Sequence, residues 1–174
     1  MISKLRKALV ASLLATGCAA TQPFGSPEKS DDDYLTEISN LSFKKLVLAK
    51  DDLSKLEDPY RTVAAVVSAQ GVIDNGGYNY FFENDWPHQP SYQIFIDAYD
   101  RIGCTQAADN LRQIVASFGV KKPERDLELR RDGIDQEKQR EEQEAPRWPK
   151  PIYDEAIYKP LIAWARKQTI PAKD

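Results

Sequence analysis

One histidine and two cysteines are all that the 174-residue chain holds of those residue types, and that scarcity removes much chemistry at once. A zinc site draws several ligands from His and Cys. A Cys–His or Ser–His–Asp arrangement needs a histidine with partners. His88 lies in the Pro-flanked stretch Trp86-Pro87-His88-Gln89-Pro90 and reads as a loop residue. No metal and no cofactor are expected. The phosphate loop G-x-x-x-x-G-K-[ST], the dinucleotide fingerprint G-x-G-x-x-G and the zinc motif H-E-x-x-H are all missing. No apolar run reaches the roughly 20 residues that a membrane-spanning helix needs. Strand-type alternation persists nowhere, and no repeat is present.

Positive charge is also scarce where nucleic acid would need it. Residues 28–119 carry fifteen acidic and eight basic side chains, a net of −7, while residues 120–174 carry twelve and thirteen, a net of +1. Phosphate binding needs clustered Lys and Arg, so an acidic body excludes nucleic acid as a partner.

What is present begins with an export signal. Lys4, Arg6 and Lys7 precede a short apolar run from Ala8 to Ala15. A charged head before a short apolar core reads as a secretion leader rather than an anchor. The run ends Leu14-Ala15-Thr16-Gly17-Cys18, which resembles the lipobox of bacterial lipoproteins, with Ala15 where that pattern most often has Leu. The resemblance implies a diacylglycerol thioether on Cys18 and cleavage before it. An ordinary secretory signal cut near Ala20 is the other reading. Each buried acyl CH₂ contributes about 0.8 kcal/mol, so two or three chains hold a small domain at a membrane. The expectation is an exported chain, lipid-anchored to the cell envelope. Ala19 rather than Asp after the cysteine points, by analogy with Gram-negative sorting, to the outer membrane facing the periplasm. Lipidation would leave Cys104 as the one free thiol, expected to be buried and inert.

The organisation follows. Residues 1–17 are the leader. Residues 18–33 are the lipidated cysteine and a flexible linker, with Pro23, Gly25, Ser26, Pro27 and Asp31-Asp32-Asp33. Residues 34–169 form a single all-helical domain. Its first helix carries Leu35, Ile38, Leu41, Leu46, Leu48 and Leu53 through Leu56. Asp58-Pro59 starts a second, central helix with a small apolar interior. Asn75-Gly76-Gly77 breaks it, and Tyr78 to Asn84 is a short aromatic helix or turn. Ser91 caps a helix with Tyr92, Phe95, Ile96, Tyr99 and Ile102 on one face. The next helix presents Ala107, Ala108, Leu111, Ile114, Val115 and Phe118. Residues 120–147 are charge-dense, with few apolar anchors, and are expected to dock weakly or to be partly disordered. Ala145 to Pro151 must be extended, pinned by Trp148. Ile152 to Thr169 reads as a helix pair interrupted near Pro160. The fold class is therefore all-α, a compact bundle of about six to eight short helices with no β-sheet.

The stretch Val72-Ile73-Asp74-Asn75-Gly76-Gly77-Tyr78-Asn79-Tyr80-Phe81-Phe82-Glu83-Asn84 resembles the signature of the bacterial DNA mimic protein family, in its DMP-type domain. That signature reads roughly V-x-N-G-G-F/Y-x-Q-F-F-x-N, and Tyr80 stands where the family often has Gln. Ala98 to Phe118 and Ile152 to Arg166 are similar to the family's downstream helices. The resemblance implies an all-α fold of several short helices. The family takes its name from a member whose acidic surface imitates DNA phosphates and occupies a DNA-binding repressor. An exported lipoprotein would not meet a cytoplasmic repressor.

Three functions remain open. The first is a membrane-tethered, non-enzymatic helical module that binds a protein or peptide partner. Its candidate contact residues are Asp74, Asn75, Gly76, Gly77, Tyr78, Tyr80, Glu83, Trp86 and His88, because aromatic side chains with a polar tip are favoured at binding hot spots. The second is an envelope hydrolase using Asp74, Glu83 or Asp85, which requires two carboxylates facing one cleft. The third is acidic mimicry of DNA toward a nucleic-acid-binding protein.

Overall fold

The computed structural model describes residues 29–168. The leader, Cys18 and the segment through residue 28 lie outside the described residues, so the lipidation and export expectations lie there too. Six α-helices follow one another: α1 (Asp31–Leu48), α2 (Tyr60–Glu83), α3 (Tyr92–Arg101), α4 (Thr105–Ser117), α5 (Leu127–Gln143) and α6 (Glu155–Ala165). Two 3₁₀ turns, Leu53–Lys55 and Pro123–Arg125, precede α2 and α5. No strand occurs among the described residues, as the missing alternation predicts. No helix among them is long and apolar enough to cross a membrane.

Helix α1 begins three residues before the expected Tyr34. Ser30 Oγ accepts from the Asp33 backbone N–H at 3.2 Å, a side-chain cap on the first turn. Asp31, Asp32 and Asp33 then place carboxylates at the positive end of the helix dipole. The aspartates expected in the linker are thus helical. At its other end α1 stops at Leu48 instead of running to Leu56, because Lys50 and Asp51 take left-handed backbone angles (φ 58° and 61°) and turn the chain. Pro59 rather than the expected Asp58 is the N-cap of α2, and Asp58 steadies the first turn from outside it, accepting from Thr62 N at 3.2 Å and Thr62 Oγ1 at 2.6 Å.

Helix α2 is the axis of the molecule and packs against α1, α3, α5 and α6. Val63, Ala64, Ala65, Val66, Ala69 and Ile73 are buried, small enough to bring neighbouring backbones close. Ser91 Oγ accepts from Gln93 N at 3.3 Å and starts α3, whose Tyr92, Phe95, Ile96 and Tyr99 are buried. Ala107, Ala108, Leu111 and Ile114 of α4 close the same core, with Val115 and Phe118 half-buried beside it. Each large apolar side chain so buried contributes about 1.5–3 kcal/mol. An aromatic cluster joins the elements: Phe81 meets Phe95 edge to face at 5.2 Å, and Phe82 meets Tyr92 at 4.9 Å and Trp148 at 5.7 Å.

The charged region is more firmly held than its few apolar residues suggest. Residues 127–143 form α5, and Arg130, Ile134 and Glu137 are all buried. Arg130 donates from Nε to the Phe82 carbonyl at 2.8 Å, and from Nη1 to the Pro123 and Glu124 carbonyls at 2.9 and 2.7 Å. The expectation of weak docking fails because the anchors are ionic side chains satisfied by backbone, which apolar periodicity does not register. Helix α6 is also a single helix, with Pro160 inside it, not the expected pair. Proline leaves the carbonyl four residues earlier without its helical donor. That carbonyl, Ala156 O, faces the Cys104 thiol at 3.8 Å. Cys104 itself is half-buried rather than buried, and its partial burial raises the thiol pKa.

Candidate functional site

The Asn75-Gly76-Gly77 triplet bends α2 where the sequence predicts a break. Gly76 is extended (φ −161°), and Gly77 takes φ 67°, ψ −162°, a conformation that glycine alone adopts without strain. A Cβ on Gly76 would overlap the Tyr80 ring, so that ring lies directly against bare backbone. Asn75 Nδ2 donates to the Gly71 carbonyl at 2.6 Å. Past the bend the helix resumes and turns Tyr78, Phe81 and Phe82 into the core.

A proline-rich strap crosses the outside of this bend. Pro146, Pro149 and Pro151 have no N–H, so the strap presents mostly acceptors. Side-chain amides supply the donors: Gln113 Nε2 to Arg147 O at 3.1 Å, Asn110 Nδ2 to Lys150 O at 3.2 Å, and Gln70 Nε2 to Ile152 O at 3.0 Å. The N–H groups of Arg147 and Trp148 donate to Glu137 Oε1 at 2.5 and 2.7 Å. Trp148 pins the strap as expected, buried against Phe82 and Phe118, with its indole N–H on Ser117 Oγ at 3.2 Å. Pro151 comes to rest beside Gly77.

Tyrosines gather around the bend. Tyr78 OH accepts from Asn110 Nδ2 at 3.1 Å, and Tyr99 OH donates to Gln70 Oε1 at 3.0 Å. Gln70 also donates to Asp74 Oδ1 at 2.6 Å. Burial pushes the Tyr78 phenol up, with the nearby Tyr153 adding to the shift. Tyr99 is driven well above the usual value by burial, then by Tyr78, Tyr158 and Asp74. Burial also raises Tyr158, with Asp74 and Asp154 contributing. Tyr80 and Tyr153 are the exposed members, at 55 % and 54 %.

The nine residues expected to form a contact surface therefore separate. Asp74 and Asn75 are exposed at the bend with Tyr80, and Gly76 and Gly77 are its backbone. Tyr78 and Trp86 are corrected to core residues: Tyr78 serves the Asn110 hydrogen bond, and the Trp86 indole N–H donates to Phe81 O at 3.2 Å. Glu83 is half-buried and accepts from Lys138 Nζ at 3.2 Å, a pair that ties α2 to α5. His88 is exposed; its Nε2–H donates to the Lys50 carbonyl at 2.7 Å and joins its loop to the end of α1. The expected groove of Tyr78, Tyr80, Trp86 and His88 does not form, because helical phase sends Tyr78 inward and Tyr80 outward. Tyr153 and Tyr158 were not among the candidates, since their only sequence signal is proximity to the strap prolines.

The carboxylates around the motif do not converge as paired acids would. Asp74 and Asp85 are exposed, Glu83 is paired with Lys138, and the space behind the bend is filled by Tyr78, Phe81 and Phe82. Among the described residues no group of three or more His, Cys, Asp or Glu side chains is placed to hold a metal ion.

A family model described as DMP19-like protein matches residues 54–168, from the 3₁₀ turn before α2 through the end of α6. The chain belongs to this family. The resemblance carried by the Asn-Gly-Gly-aromatic stretch is thus borne out, and the bend and strap are parts of a DMP19-like domain. Helix α1 lies outside the matched residues. No curated protein and no solved structure matches the chain.

Proposed function

We propose that the chain is a membrane-tethered, non-enzymatic interaction module that engages a protein or peptide partner through the face around the α2 bend. The observation that supports it best is the pair of exposed tyrosines, Tyr80 and Tyr153, on a rigid frame. Tyr80 lies on glycine backbone, and Tyr153 follows a strap held by three side-chain amides. Tyrosine offers large amphipathic contact area with few torsions to freeze, and a fixed backbone lowers the ordering cost further. Exposed Asp74 and Asp154 give this face an acidic edge, which suits a partner segment with basic side chains.

The membrane part of the proposal rests on the leader and Cys18. Metabolic labelling with radioactive palmitate tests it: label should enter the chain and vanish in Cys18→Ala, and an unlabelled wild type would contradict it. Affinity capture from solubilised envelope tests the contact face. The wild-type chain should retain a discrete protein that Tyr80→Ala/Tyr153→Ala loses, while the melting temperature changes little because both side chains are exposed. Equal recovery by both would remove the face from consideration. DNA mimicry is the second reading, favoured by family membership. It predicts that capture collapses as salt rises beyond ordinary ionic strength.

A further inference from the structure

We infer that the outer face of α1 docks the domain on an anionic lipid surface. Helix α1 has two faces. Ile38 and Ser42 are buried against the body. On the opposite side Asn40, Leu41, Lys44, Val47 and Leu48 recur at helical spacing. Val47 is 67 % exposed and Leu48 84 %, and beside them lie half-buried Leu41 and exposed Lys44.

Charge selects the occupant. From Ile38 to Lys50 there are three lysines and no carboxylate, in a chain whose formal net charge is −3. Lys44 and Lys50 are exposed, while Lys45 lies over the Tyr60 ring at 4.6 Å. The carboxylates at the edges are partly engaged: Glu37 is paired with Lys29, and Asp52 with Lys55, leaving Asp51 exposed. Exposed leucine and valine flanked by Lys44 and Lys50 give this end of α1 an apolar, basic patch on an otherwise acidic body, which complements an anionic lipid surface. Near an anionic surface each lysine adds about 1 kcal/mol. At the end of α1 the chain turns through Lys50 and Asp51, both at positive φ, and the Lys50 carbonyl accepts from His88 Nε2–H at 2.7 Å.

Reach is compatible with the proposed tether. Residues 19–29 extend to at most roughly 37 Å, and the patch lies roughly 20 Å along α1 from Asp31. A lipid on Cys18 would therefore let α1 lie along the bilayer while the α2 bend stays available. The docking surface needs the tether reading only for proximity, so the experiment omits the lipid.

The chain from Ala19 onward contains every buried core residue among the described ones, and its sedimentation with vesicles decides the question. It should co-sediment with vesicles of phosphatidylcholine plus phosphatidylglycerol, remain free with phosphatidylcholine alone, and be released by salt. Val47→Ser/Leu48→Ser should weaken binding on the order of tenfold with an unchanged melting temperature. Lys44→Gln should weaken it about fivefold. No binding to the anionic vesicles, or equal binding by Val47→Ser/Leu48→Ser, would overturn the inference. So would a vesicle-free dimer that the same substitution returns to monomer, which would give the face to a second copy. Palmitate labelling of Cys18 stands or falls separately from each of these results.

Discussion

Helices α3 and α5 both dock on α2, and they do so by opposite means. α3 lays down Tyr92, Phe95, Ile96 and Tyr99, an apolar stripe with a single capping serine. α5 lays down one isoleucine between Arg130 and Glu137. Apolar contact is non-directional and grows with area. The guanidinium of Arg130 is directional: it must meet the Phe82, Pro123 and Glu124 carbonyls at once, which fixes both the register of α5 and the direction in which α2 ends. Glu137 does the same for the strap. The difference teaches that the part of the molecule bordering the candidate face is positioned by few, exact polar contacts, while the rest is held by bulk.

Substitutions can break this contrast. The largest effect is expected at Arg130. Arg130→Met removes the guanidinium from three buried carbonyls, of which only Pro123 O keeps another donor, the Asp126 N–H, and should cost about 4 kcal/mol. In a domain of this size that lowers the melting temperature by roughly 10 °C. Arg130→Lys keeps the charge but loses the fork and should still cost about 2 kcal/mol. Ile96→Leu, a volume-conserving change on α3, should cost under about 1.5 kcal/mol. Calorimetry on the three variants reads the order directly; a harmless Arg130→Lys would remove the distinction.

Glu137→Ala comes next. Two backbone N–H groups would lose their acceptor, for about 3 kcal/mol, and protease cleavage should appear first within the strap. Glu137→Gln retains one acceptor oxygen and should lose about half as much. Uniform cleavage in either variant would show that the strap is not a separately held unit.

The smallest effect sharpens the contrast by pH. Tyr78, Tyr92 and Tyr99 are held neutral by burial, with folded pKa values raised above the unfolded one. Their contribution is complete below the unfolded value of about 10 and is lost as pH climbs through the folded values. Denaturant midpoints should therefore fall above about pH 10. Tyr99→Phe should cost about 1 kcal/mol at neutral pH, for the lost Gln70 hydrogen bond, and flatten that alkaline fall. An unchanged alkaline slope would show that Tyr99 does not carry it.

These same contrasts explain what was legible in the sequence. Apolar spacing and the Ser91 cap define α3, and the Asn75-Gly76-Gly77 triplet marks the bend, because those signals are local. Arg130 and Glu137 look like any other charge in a stretch of charges; only the fold sets carbonyls and strap N–H groups against them. Three aspartates in a row suggest solvated linker, yet after Ser30 they form a favourable first turn of α1. Pro160 suggested a break, and only the fold places the Cys104 thiol at the carbonyl it frees. At the candidate face, Tyr80 was legible from the motif, whereas Tyr153 depended on the path of the strap. Leu48, which spacing puts on the apolar stripe of the first helix, is instead 84 % exposed, because α1 ends there and the chain turns at Lys50 and Asp51.

The most direct measurement is photocrosslinking in the living host with the full-length chain. A benzophenone amino acid replaces Tyr80, Leu48 or, as a control on exposed α3 surface, Gln93. A protein adduct of discrete mass at position 80, a lipid adduct without protein at 48, and neither at 93 is the predicted result. A protein adduct at 48 with none at 80 would contradict the account.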